Sequence, residues 1–178
     1  MARRKPDPGA IYVSPRLQAS LEPMGRCALT TVTAPMGYGK TTAVNWFLAA
    51  QPPGSAIRVS IYSDSLPALW ESGRRAFRAA GLTVLEGFDC PMDPAATGLL
   101  DTLCRELRRP EPWYLFVDDL HLLPDPRMAR FLCELAARLP ENVHLIAASR
   151  DRILSGDQVL RLGGRLHRIG AEQLRLEG

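Results

Sequence analysis

The stretch TVTAPMGYGKTT, Thr31 to Thr42, ends in the Gly-Lys-Thr of a phosphate-binding loop, but Ala34 stands where that motif places its first glycine. In such a loop successive backbone amides surround a β-phosphate at a helix N-terminus. A lysine reaches the β- and γ-phosphates, and a hydroxyl holds magnesium. Gly37, Gly39, Lys40 and Thr41 supply those parts, with Tyr38 and Thr42 completing the loop and its first helical turn. Glycine matters most beside Lys40, where the turn is tight and a side chain would crowd a phosphate. At the mouth of the loop a methyl group costs less, so Ala34 weakens the pattern match more than the physics. The mechanism further requires a strand before the loop and a helix after it.

Both are predicted. Ala28 to Thr33 is a short β-prone run, and Lys40 to Ala50 places Val44, Phe47 and Leu48 at helical spacing until Gln51-Pro-Pro-Gly stops it. Ile57, Val59 and Ile61 alternate as a second strand. Ser65 then caps a helix with Pro67 in its first turn, and its Leu69, Trp70, Gly73 and Phe77 share a face up to Gly81. Leu82 to Met92 reads as loop. Asp93-Pro94 opens a helix carrying Leu99, Leu100, Leu103 and Leu107, with Arg105, Arg108 and Arg109 toward its negative end. Trp113 to Val117 is a fully apolar strand, Pro126 to Leu139 a helix with Phe131, Leu132 and Leu135, and Val143 to Ala148 another apolar strand. A short last strand falls around Leu166 to Ile169. Continuous apolar strands joined by amphipathic helices predict a parallel sheet covered on both faces, a three-layer α/β domain.

A nucleotide site of this kind also needs a carboxylate at the end of a neighbouring apolar strand. WYLFVDD provides Asp118 for the magnesium shell, through water, and Asp119 to orient or deprotonate an attacking water. Ser149-Arg150 ends the next apolar strand, so all three motifs face the carboxyl edge of the sheet, where ligands of open α/β sheets bind. Arg150 is thereby a candidate for the γ-phosphate. His121 reads either as a contact on the γ-phosphate side or as an incidental loop histidine.

The rest of the composition narrows the class. At 178 residues, 46% hydrophobic and 23% charged, the chain has the dimensions of one domain, residues 11–178, behind a loose leader of residues 1–10. A net charge of +3 is too mild to argue for a surface that coats nucleic acid. The basic start runs into proline and glycine instead of an apolar stretch, and no run approaches the ~18 apolar residues of a membrane span, so a soluble cytoplasmic protein is expected. Cys27, Cys90, Cys104 and Cys133 are scattered without metal or disulfide spacing.

TVTAPMGYGKTTAVNWFL, LFVDDLHLL and HLIAASRD together resemble the ATPase domain of the large ATP-binding LuxR-type transcriptional regulators. That group contains the maltose-regulon activator and lies within the STAND class of signalling P-loop ATPases. YVSPRLQASL and GGRLHRIGAEQLRLEG extend the resemblance to nearly the whole chain. The family's loop usually reads Ala-Pro-Ala-Gly-Tyr-Gly-Lys-Thr-Thr, so Ala34 is the residue the resemblance expects and Met36 the smaller departure. The resemblance implies a five-strand parallel sheet in the order 5-1-4-3-2 and ATP/ADP with Mg2+ as ligands. It also implies a place near the adenine for Arg16 and Leu17. Self-association, and contact with other domains of a longer regulator, are implied as well. DNA would be bound only through a helix-turn-helix that this chain does not contain, and the family's lid, winged-helix and sensor parts are likewise expected outside it. Two other readings stay open. One is a stand-alone P-loop ATPase or phosphotransferase with Arg161, Arg165 and Arg168 as an arginine lid; the other is an interaction module that has lost its nucleotide.

Overall fold

The computed structural model describes residues 13–90 and 97–175. The predicted leader and the helix opening at Asp93-Pro94 lie outside the described residues. Five strands, β1 (Leu29–Thr33), β2 (Ala56–Ser60), β3 (Trp113–Asp118), β4 (Val143–Ser149) and β5 (Leu166–Ile169), form one parallel sheet. The order is β2-β3-β4-β1-β5. From the opposite edge this is the expected 5-1-4-3-2, with β4 inserted between the phosphate-loop strand and the Asp118 strand.

The helices are α1 (Pro15–Leu21), α2 (Lys40–Ala49), α3 (Leu66–Ala79), α4 (Thr97–Leu107), α5 (Pro126–Arg138), α6 (Gly156–Leu162) and α7 (Ala171–Leu174). They divide between the two faces because side chains alternate along each strand. Leu29, Leu115 and Leu145 are neighbours in register and join Phe77, Leu100, Leu132 and Leu162 in one core. Phe116 and Ile146, one residue further along, join Val32, Leu17, Val44 and Leu174 in a second core on the other face. All seven residues of β4 are buried, which is why it reads as a continuous apolar run.

Local signals start the helices where expected. The Ser65 hydroxyl accepts from the Ala68 amide at 3.3 Å to cap α3, and Asp125 accepts from the Arg127 amide at 2.9 Å to cap α5. Hydrogen bonds from Arg127 hold the Asp125 carboxyl below the usual carboxylate range. Three helices were not visible as periodicity. α1 and α6 have 7 residues each and α7 has 4, too few turns to display a repeat. Their local caps are nevertheless present: Ser14 caps α1, and Ser155 with Gln158 forms a capping box on α6. The stretch expected as loop after Gly81 contains a 3-10 turn, Val84–Gly87, pulled inward by the buried Val84 and Leu85 and held by the Trp70 indole, which donates to the Phe88 carbonyl at 3.2 Å. Among the described residues no helix is long and apolar enough to cross a membrane.

His144 is the buried titratable group of the central strand. Its ring stacks on Tyr114 at 5.2 Å between centroids, and its Nδ1 lies 2.9 Å from the Cys27 carbonyl, so Nδ1 carries the proton. Burial holds its pKa below the ordinary value, with the carbonyl bond opposing that shift. Unfolded, the residue titrates near ~6.5, so between that pH and the depressed folded value the unfolded chain holds the extra proton. Stability is therefore full above that pH and declines as pH falls through and below it. Urea midpoints between pH 7.5 and 5.5 should show this slope, and His144→Gln, which can still donate to Cys27, should flatten it. An equal slope in the variant would remove His144 as its source.

Candidate functional site

The candidate phosphate loop joins the end of β1 to the start of α2. Gly37 and Gly39 adopt φ of 88° and 74°, the left-handed region where a Cβ is strained. Gly39 is also the N-cap of α2, so the amides of its first turn, including those of Lys40, Thr41 and Thr42, are available at the positive end of the helix. Met36 and Tyr38 project from the loop, 80% and 36% exposed.

Ala34 is different in kind from the two glycines. It does not have a positive φ, it is 3% exposed, and its methyl group belongs to the second core beside Val32 and Val44. Its amide donates to the Ser149 carbonyl at 3.2 Å and its carbonyl accepts from Lys40 Nζ at 2.6 Å. Glycine is not needed here, and alanine fills space. Ala34→Gly should therefore lower stability by about 1–2 kcal/mol, from a lost buried methyl and a more flexible unfolded chain, without tightening nucleotide binding. Denaturant titration beside ligand titration checks both halves, and a gain in affinity would show that Ala34 impairs the loop.

Lys40 is buried, with Nζ also donating to the Pro35 carbonyl at 3.1 Å. An ammonium has three donors, so one remains after these two bonds. The next residue reaches the second motif: Thr41 Oγ1 donates to Asp118 Oδ2 at 2.7 Å. Asp118 Oδ1 accepts from the Asp119 amide at 2.9 Å. Asp119 has φ 58°, an uncommon left-handed conformation that aspartate tolerates, and it turns the chain sharply away from β3 into a 3-10 turn, Leu120–Leu122. The paired hydroxyl and carboxylate are hard oxygen donors of the kind Mg2+ takes when phosphates and water complete its shell. The residues present thus fit a magnesium nucleotide.

The third motif closes the arrangement. Ser149, 2% exposed, accepts from the Ala34 amide through its carbonyl and from the Asp151 amide through Oγ at 3.1 Å. The Arg150 amide donates to His121 Nδ1 at 3.1 Å, while the exposed Arg150 side chain lies 3.7 Å from the Asp151 carboxylate. Hydrogen bonds therefore run from the phosphate loop to Asp118, and from the Asp119 turn through His121 to β4 and back to Ala34. The roles of Ser149 and His121 in this circuit were not readable from the sequence, because each depends on a contact between distant segments.

The remaining predicted residues sit as follows. Arg16 Nη2 donates to the Glu172 carbonyl at 3.0 Å, joining α1 to α7, while Leu17 packs in the core that includes Val44 of α2. Arg165 donates to the Ala136 carbonyl at 2.9 Å and the Leu139 carbonyl at 3.1 Å, closing the end of α5, and Arg161 pairs with Glu134 at 2.9 Å. These two arginines are tied to α5 rather than arranged as a lid.

No protein-family profile matches the chain. Among solved structures, a chain of Drosophila ORC bound to DNA is similar with a TM-score of 0.53 and 14% identity, over 88% of this chain and 91% of that one. A chain of Drosophila ORC bound to AT-rich DNA and Cdc6 is similar with a TM-score of 0.53 and 13% identity, over 88% of this chain but 55% of that one. At these identities the likeness shows the fold alone, a three-layer α/β fold around a five-strand parallel sheet.

Proposed function

We propose that the chain is the ATP/ADP- and Mg2+-binding switch domain of a STAND-type, LuxR-like transcriptional regulator, working in the cytoplasm with slow ATP hydrolysis as a timer. The observation that carries the nucleotide site is the 2.7 Å bond between Thr41 and Asp118, which joins the phosphate loop to the strand-end carboxylate across 77 residues of sequence. The finer assignment to that regulator class rests on the resemblance of the three motifs, Ala34 included. In this reading the loop amides and Lys40 hold the phosphates, and Thr41 and Asp118 hold the magnesium shell. Magnesium neutralises phosphate charge when bound. Asp119 orients water and accepts its proton, and Arg150 meets the terminal phosphate. Self-association and coupling to other domains of a longer chain complete the switch, with DNA contacted only by a helix-turn-helix elsewhere.

Isothermal titration of the protein with ADP tests the site. The expected result is saturable single-site binding that weakens when magnesium is chelated. No heat and no thermal stabilisation by either ADP or ATP would overturn the reading in favour of a nucleotide-free interaction module. The tethering of Arg161 and Arg165 to α5 weighs against a phosphotransferase with an arginine lid.

A further inference from the structure

The ladder between β3 and β4 stops at the pair Val117↔Ala147. Beyond it the left-handed Asp119 carries the chain away, so the Arg150 amide has no strand partner on that side. His121 supplies one, accepting the bond at Nδ1, 3.1 Å away. An amide only donates, so Nδ1 is the unprotonated nitrogen and the ring proton sits on Nε2. The turn that carries the ring is anchored. Leu120 and Leu123 on either side of it are buried, and the Leu122 and Leu123 amides donate to the Asp119 and Leu120 carbonyls at 3.0 and 3.1 Å. The Arg150 side chain, by contrast, is 54% exposed and has the Asp151 carboxylate 3.7 Å from Nε. An exposed pair at that distance restrains it weakly, so where the guanidinium projects depends on where its backbone is held.

We infer that His121 is a positioning residue for Arg150. By replacing the missing ladder partner it fixes the backbone from which the guanidinium projects and ties it to the Asp118-Asp119 turn. The terminal phosphate of ATP is then met by a preset arginine, and ADP, which lacks that phosphate, does not use it. The inference rests on the nucleotide site proposed above.

The test measures the ratio of affinities for Mg-ADP and for the magnesium complex of a non-hydrolysable ATP analogue. Arg150→Ala should shift the ratio toward ADP. His121→Ala should shift it the same way by about fivefold, the size of one neutral hydrogen bond. The double variant should shift it no further than Arg150→Ala alone, because the histidine acts through the arginine. His121→Asn, whose Oδ1 can accept the same bond, should restore most of the ratio, and His121→Phe, similar in size without an acceptor, should not. Additive losses in the double variant, or equal behaviour of the Asn and Phe variants, would overturn the positioning role while leaving the nucleotide site standing. A wild type that binds neither nucleotide would overturn both.

Discussion

Lys40→Ala is expected to abolish measurable nucleotide binding while leaving the domain folded. The ammonium is held at the mouth of the loop by the Ala34 and Pro35 carbonyls at 2.6 and 3.1 Å, so it is already placed where phosphate charge would enter. Removing it deletes the single cation built into the loop itself, and the expected loss is at least about 100-fold in ADP affinity, or roughly 2.7 kcal/mol. The same change should be visible in melting curves. At a nucleotide concentration of about 100 times Kd the wild type gains about 2.7 kcal/mol. For a domain of this size that is a rise of about 5–10 °C in Tm. The variant should show no rise. Its unliganded Tm should fall by no more than several degrees, the cost of leaving the buried Ala34 carbonyl and the Pro35 carbonyl without the ammonium. Wild-type ADP affinity in Lys40→Ala would sink the site assignment.

Ile146→Ala is expected to have the largest effect on stability. Ile146 is fully buried in the central strand, in register with Thr30 of β1 and Phe116 of β3, and it belongs to the core shared with α1 and α2. Neighbours on both sides are fixed by strand pairing and cannot collapse into the gap, so transfer and cavity terms both apply, about 3–4 kcal/mol in total. That corresponds to a fall of about 6–15 °C in Tm. Leu160→Ala, at a residue 81% exposed on α6, is the matched control and should stay within about 0.5 kcal/mol. Thermal or urea unfolding of the two variants side by side checks the contrast. A loss below 1 kcal/mol for Ile146→Ala would mean that the sheet relaxes far more than its register implies.

The sheet was legible because burial on both faces leaves a plain mark. Trp113 to Val117 and Val143 to Ala148 contain no polar alternation beyond His144, and only a covered parallel strand tolerates that. The longer helices were legible from their spacing, down to the Ser65 cap. α6 was not, because Val159 and Leu162 provide too few apolar positions and the exposed Leu160 breaks the face. The inserted position of β4 followed from family resemblance, since β-strand order is set by which crossovers pack and not by any local residue choice.

The site divides in the same way. Gly37, Gly39, Lys40 and Thr41 lie close together in sequence, and a glycine beside a lysine at a helix start has a local physical meaning, so the chain alone marked a candidate phosphate loop there. It also determined that Asp118 and Arg150 end apolar strands, and hence that they share one edge of the sheet. Only the tertiary structure decided what those residues do to one another. Whether Thr41 meets Asp118, whether Ala34 is a defect or a packed core residue, and which amide occupies His121 are questions of contacts between segments dozens of residues apart. Spacing along the chain carries no information about such distances until strand order and register bring the segments together.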